Sequence, residues 1–157
     1  MVHIRVGDRL DCDRVNAFYS EEGHSVRVFA TERFVLAEDE QRLIGVVRLC
    51  LENGHAILRT MRVSESYRGQ RIGTRMLEAF EDLVSERDCY CLPFAHLTDF
   101  YGRIGFTAIP IEQAPAHLQE RYAGYRDSGA DMLVMKRAAN WTRHKTPMQP
   151  TAGKRGG

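Results

Sequence analysis

At 157 residues and 43% hydrophobic, the chain has material for one sizeable core and hardly for two, so a single domain is expected. A formal net charge of +1 excludes a general electrostatic attraction to nucleic acid or to an acidic membrane surface. No apolar run nears the ~20 residues of a bilayer span, and Met1-Val2-His3-Ile4-Arg5 lacks a signal-peptide core, so a cytoplasmic location is expected.

In chain order, His3 to Val6 predicts a first strand. Asp11 to Glu22 predicts a helix whose apolar positions are Val15, Phe18 and Tyr19 and whose stop is Gly23. A connecting segment, Ser25 to Thr31, leads to a meander: Phe34 to Ala37, a polar turn at Glu38 to Gln41, Leu43 to Leu51, a turn at Glu52-Asn53-Gly54, and a fourth strand over Ile57 to Val63. Ser64 to Gln70 then crosses into a helix, in which Ile72, Met76, Leu77, Phe80, Leu83 and Val84 recur at three- and four-residue intervals with charged residues between them.

Beyond that helix, Cys89 to Phe94 reads as a fifth strand, Thr98 to Ile104 as a short helix and Thr107 to Ile109 as a sixth strand. Pro110 to Asp131 resembles an insertion with a helix beginning near Pro115, and Met132 to Met135 closes the sheet. Residues 138–157 contain Pro147, Pro150, glycines and scattered Lys and Arg with few apolar groups, so they predict a disordered basic tail, with Trp141 its one anchor, behind a domain spanning 1–137. Cys12, Cys50, Cys89 and Cys91 predict reduced, core-filling thiols and no metal site, since Cys89 and Cys91 alone are too few ligands.

The chemistry-bearing stretch is Arg68 to Thr74. A helix start leaves backbone N–H groups without intrahelical partners at the positive end of the macrodipole, and a turn feeding it is able to hold an anion. Gly69 and Gly73 allow close backbone approach, and Arg68 and Arg71 add guanidinium forks suited to phosphate. Spacing alone reads equally as an ordinary strand-to-helix turn with solvated arginines.

Arg68-Gly69-Gln70-Arg71-Ile72-Gly73-Thr74 resembles the pyrophosphate loop of the GCN5-related N-acetyltransferases (GNAT), with Arg71 standing where that family usually has a glycine. Phe100-Tyr101-Gly102-Arg103-Ile104-Gly105-Phe106 is similar to the family's second signature, a helix-start tyrosine followed by Gly-Phe. The resemblance implies an α/β (α+β) fold: a mixed, mostly antiparallel sheet of about seven strands flanked by helices, with the fourth and fifth strands splayed. It implies transfer of an acetyl group from acetyl-CoA to a primary amine of a small molecule, in a ternary complex and without a metal.

By the same resemblance, the donor is held by backbone at Met61, Arg62 and Val63 and by Arg68, Gly69, Gln70, Arg71, Ile72, Gly73 and Thr74. Tyr101 is the general acid, and His96 either relays a proton or serves as a helix-start donor. Members often carry an acid on the fourth strand, which here has none; Glu38, Glu52 and His96 stand as unranked bases, and Phe94 replaces a cofactor-touching amide. Arg48 and Arg59 suggest a carboxylate-bearing acceptor if they share a cleft, or otherwise a solvated sheet edge. No nucleic acid or membrane partner is expected, and a homodimer is left open. The alternatives are a non-catalytic acyl-CoA sensor and a protein N-acetyltransferase.

Overall fold

The computed structural model describes residues 1–141; the tail expected to be disordered lies outside the described residues from 142 onward. The described residues divide into two compact units, one of Met1–Ser85 with Cys89–Cys91 and one of Glu86–Asp88 with the residues from Leu92 onward.

The first unit contains β1 (Val2–Gly7), α1 (Cys12–Glu21), β2 (Arg33–Asp39), β3 (Arg42–Glu52), β4 (His55–Val63), α2 (Ile72–Val84) and β5 (Cys89–Cys91). Its strands run in the order β1-β2-β3-β4-β5. The first three pairings are antiparallel and the last is parallel. Val15, Phe18 and Tyr19 of α1 pack with Phe34, Leu36 and Val46, because alternate residues of β2 and β3 point to that side. On α2 the predicted stripe of Ile72, Met76, Leu77, Phe80 and Val84 is buried.

The second unit contains α3 (Thr98–Gly102), β6 (Phe106–Ala108), α4 (Ala116–Asp127) and β7 (Met135–Arg137), with β6 and β7 antiparallel. Seven strands, mostly antiparallel with one parallel pair, and the accompanying helices give the mixed α/β class expected. Among the described residues, no helix is long and apolar enough to cross a membrane.

Two strands differ from their predicted spans. β5 stops at Cys91, short of Phe94, because Pro93 has no N–H to donate to a ladder. Phe94 makes only a single bridge, to Met132. The last strand is Met135–Arg137 instead of Met132 to Met135. Its charged end is accommodated because buried Arg137 donates from Nε to the Ile104 carbonyl at 2.6 Å and lies 5.2 Å from the Trp141 ring.

β1, the turn before α1 and β2 are tied by charge. Arg5 donates to Asp11 (2.7 Å) and Glu38 (2.8 Å), and Arg14 donates to Glu38 (2.8 Å). The Arg5 bond holds both carboxyls below their ordinary values. Depressed folded-state values mean stability that is complete above the unfolded-state values and is lost as pH falls through the folded ones. The melting temperature is therefore expected to drop as pH is lowered below about 4.5. Arg5→Met is expected to start lower at neutral pH and to show a shallower acid decline; an unchanged slope would remove this network from the acid response.

Candidate functional site

The ladder between β4 and β5 places Ala56 opposite Cys89 and Ile57 opposite Tyr90, whereas β4 continues to Val63 after β5 has ended. The latter half of β4 thus continues after its parallel pairing with β5 has ended, at the place where splayed strands are expected. On its other side β4 is bulged. Val46 faces Arg62 and Arg48 faces Arg59, so Thr60 and Met61 together oppose Val47. Thr60 has φ +51°, a left-handed conformation that a β-branched residue seldom adopts.

Two side chains hold it there. The Tyr19 hydroxyl, kept protonated by burial that raises its pKa, donates to the Thr60 carbonyl at 2.6 Å. Arg48 Nη1 donates to Thr60 Oγ1 at 3.2 Å. At the strand exit, Arg62 Nε donates to Glu22 at 2.8 Å, and the Ser64 N–H bonds the Ile44 carbonyl at 2.8 Å.

The two strand arginines are cross-strand partners, as Arg48 pairs with Arg59 in the register. Each faces an acid. Arg48 is bidentate to Glu32, Nε to Oε1 at 2.7 Å and Nη2 to Oε2 at 2.9 Å, with both side chains buried. Burial is the largest single influence and works against the Arg48 charge, but the Glu32 bond and the electrostatic attraction of its surroundings together outweigh it, and its pKa lies above the ordinary value. Arg59, a third exposed, donates from Nη1 to Glu52 at 3.1 Å. Cys50, on the same strand as Arg48, has its thiol pushed up by burial to about 12, so it is no thiolate nucleophile at neutral pH.

Past β4, a turn of 3₁₀ helix over Glu65–Tyr67 delivers the chain to α2. Gly69 has φ +80°, with open space where a Cβ would stand, and Arg71, the residue capping α2, has φ +64°. The Arg75 N–H bonds the Arg71 carbonyl at 3.1 Å, so the N–H groups of Ile72, Gly73 and Thr74 precede the first helical bond. Arg68, Gly69, Gln70 and Arg71 are exposed around this helix start. Arg68 Nε donates to the Val63 carbonyl at 2.9 Å, which draws the arginine back over the end of β4. An anion would meet the unpaired N–H groups, the positive end of the helix dipole and two guanidinium groups in one turn. The loop therefore fits a pyrophosphate.

In the second unit, Tyr101 lies on α3 and is 6% exposed, in edge contact with Phe100 and Phe106 at ring distances of 5.0 and 6.2 Å. His96 sits in the 3₁₀ turn Ala95–Leu97 just before α3, exposed, its ring stacked on Phe94 at 5.9 Å. Phe94, the residue that replaces the amide of the resembled pattern, is half exposed and offers a ring there.

Residues 30–108, about half of the chain and including both the bulged strand and the glycine-flanked helix start, match the acetyltransferase (GNAT) domain family. The chain belongs to the GNAT acetyltransferases. Its fold is similar to that of ElaA from Escherichia coli, at 16% identity and TM-score 0.60, with 87% of this chain and 99% of that one covered. An acyl-CoA N-acyltransferase from Pseudomonas aeruginosa aligns at 18% identity and TM-score 0.60, covering 88% of this chain and all of that one. N-acetylglutamate synthase from Neisseria gonorrhoeae, complexed with coenzyme A and N-acetyl-glutamate, aligns at 18% and TM-score 0.64, over 90% of this chain but 36% of the synthase. At these identities the likeness is one of fold. Among curated proteins, no sequence matches this chain.

The family pattern explains the backbone at Arg71. Its place is usually a glycine because the chain there turns left-handed, a conformation that costs any L side chain roughly 1–2 kcal/mol. This GNAT chain accepts that strain and gains a cation. Three residues of the bulged strand's surroundings, Tyr19, Glu32 and Thr60, had no warning in the sequence. Tyr19 reads as core, Glu32 falls unmarked between the Ser25 to Thr31 connection and the strand at Phe34, and a threonine carries no signal of positive φ. Among the described residues, no group of three or more His, Cys, Asp or Glu gathers to hold a metal ion.

Proposed function

We propose that this chain is an acetyl-CoA-dependent N-acetyltransferase that moves an acetyl group to a primary amine of a small molecule by direct attack in a ternary complex. The observation that carries the reading is the anion-ready start of α2, where left-handed Gly69 and Arg71 open a helix beside the end of the bulged strand β4. The N. gonorrhoeae synthase fold bound to coenzyme A supports it.

When bound, acetyl-CoA supplies the thioester carbon. Arg68, Arg71 and the N–H groups of Ile72 to Thr74 hold its phosphates, and Gly69 and Gln70 shape the loop. Of the backbone N–H groups at Met61, Arg62 and Val63, those of Met61 and Val63, which alternate away from β3, receive the oxyanion as the amine nitrogen attacks. As the carbon–sulfur bond breaks, Tyr101 gives its hydroxyl proton to the thiolate, and His96 assists proton exchange. An amine of pKa about 10.4 must first lose a proton. Glu38 is engaged by Arg5 and Arg14, and Glu52 by Arg59, so that proton leaves to water. A carboxylate on the acceptor would call on Arg59, since Arg48 is committed to Glu32.

Calorimetry with acetyl-CoA tests the cradle. Replacing Arg68 and Arg71 together by Ala is expected to raise the dissociation constant on the order of tenfold or more, through loss of charge-assisted bonds of about 1.5–3 kcal/mol each when well formed. Arg71→Gly is expected to weaken binding while raising the melting temperature, because glycine relieves the positive φ. Unchanged affinity in the double variant would reject the cradle. Tight binding with no thiol release across a panel of amino acids, amino esters, diamines and aminoglycosides would make the chain a sensor instead of an enzyme.

A further inference from the structure

The Glu32–Arg48 pair is buried beneath the bulge, where apolar side chains would pack at lower cost, and its contacts lead to one place. All three Arg48 nitrogens are used: two on Glu32 and Nη1 on Thr60 Oγ1. Glu32 in turn takes four donors, since Oε1 also accepts from Cys50 Sγ at 3.5 Å and Oε2 from the Phe29 N–H at 3.2 Å. A carboxylate so enclosed has no lone pair facing a substrate, so it serves neither as a base nor as a ligand. Its effect is to fix the plane of the Arg48 guanidinium.

What that plane holds is Thr60, the one residue of β4 with a positive φ. Its carbonyl is gripped by Tyr19 from α1, and its hydroxyl by Arg48 from β3. The next residues in the chain are Met61 to Val63. A peptide turned left-handed at Thr60 redirects the N–H groups that follow it, and a hydrogen-bond donor displaced by about 1 Å can cost on the order of 10²-fold in rate.

We propose that Arg48, anchored by Glu32, is a positioning residue for acyl transfer: together with Tyr19 it clamps Thr60 in the left-handed conformation and so sets where the N–H groups of Met61 to Val63 lie. The clamp rests on the acyltransferase reading for its purpose. Its structural half stands on the geometry alone. It also makes the turn Phe29 to Glu32, which presents the exposed Phe29 ring, part of the same hydrogen-bonded assembly as the bulge.

The experiment uses the full chain and two readouts, steady-state kinetics with acetyl-CoA and the best acceptor of the amine panel, and amide hydrogen exchange at Arg59 to Val63. Thr60→Val keeps the β-branch and removes the hydroxyl, Thr60→Ser keeps the hydroxyl, and Tyr19→Phe removes only the O–H. Thr60→Val and Tyr19→Phe are each expected to lower kcat by about 10–100-fold, with KM for acetyl-CoA within about twofold and faster exchange at Met61 to Val63. Thr60→Ser is expected to recover most of the rate. Glu32→Gln combined with Arg48→Met, which removes both charges together, is expected to fold and to show the same kcat loss. Wild-type kcat in Thr60→Val and in the charge-free pair would overturn the proposal, as would unaltered exchange at Met61 to Val63. If the wild-type chain transfers acetyl to no amine, the acyltransferase reading fails by itself. The clamp is then decided by exchange: acceleration in Thr60→Val and Tyr19→Phe supports it, and no change overturns it.

Discussion

Tyr101→Phe is expected to slow acyl transfer by ~10²–10⁴, the range for losing a general acid, with little change in stability or in acetyl-CoA affinity. The asymmetry follows from what the substitution removes. The Tyr101 ring is buried and in edge contact with Phe100 and Phe106, so a phenylalanine ring fills the same volume and leaves no cavity. Only the hydroxyl goes, and with it the proton proposed for the leaving thiolate. Phenol and thiol have ordinary values near enough for that transfer to be easy. The basic limb of the pH–rate profile is expected to move as well, because a tyrosine would no longer titrate in the essential form. Single-turnover rates equal to those of the wild type would give Tyr101 a packing role and pass the acid function to His96 or to water.

Arg48→Met is expected to lower the free energy of unfolding by about 3–5 kcal/mol, because it strands the Glu32 carboxylate in a buried site without its cation. That loss is not the worth of the pair. Replacing both partners, as in Glu32→Leu with Arg48→Met, is expected to return the chain to within about 1–2 kcal/mol of the wild type, since well-packed apolar groups often equal a buried ion pair. Urea unfolding of the four proteins forms a double-mutant cycle, and additive effects of the two substitutions would mean that the pair is not coupled as its 2.7 and 2.9 Å contacts require. Stability and catalysis separate here. The double apolar variant restores burial but leaves the Thr60 hydroxyl without its guanidinium, so recovery of the fold without recovery of kcat is the signature of positioning.

Most of the frame was legible because it follows from local rules. The α2 stripe from Ile72 to Val84 has a helical period that no strand would tolerate, and the meander through β2, β3 and β4 is punctuated by turn residues, with Asn53 and Gly54 both at positive φ. The glycine-flanked arginines at Arg68 to Gly73 pointed to the proposed anion site, since helix starts attract anions. Where local rules stop, the reading shifted. The apolar run Met132 to Met135 predicts a closing strand that ends before Lys136, and only the fold reveals that Arg137 is buried with a carbonyl and the face of Trp141 to receive its charge.

The site divides in the same way. Residue types and spacing carried the resemblance to the family and marked the proposed pyrophosphate loop and the proposed tyrosine acid, because those depend on side chains close together in sequence. Tertiary structure alone decided that Arg48 and Arg59 are cross-strand partners each engaged by an acid, that Glu32 lies under β3, and that Tyr19 reaches Thr60 forty-one positions along the chain. The physical reason is that these contacts depend on register. A single extra residue in β4, the bulge at Thr60 and Met61, changes which side chains oppose one another and which backbone groups are left to meet a substrate, and neither threonine nor methionine signals that step in a one-dimensional string.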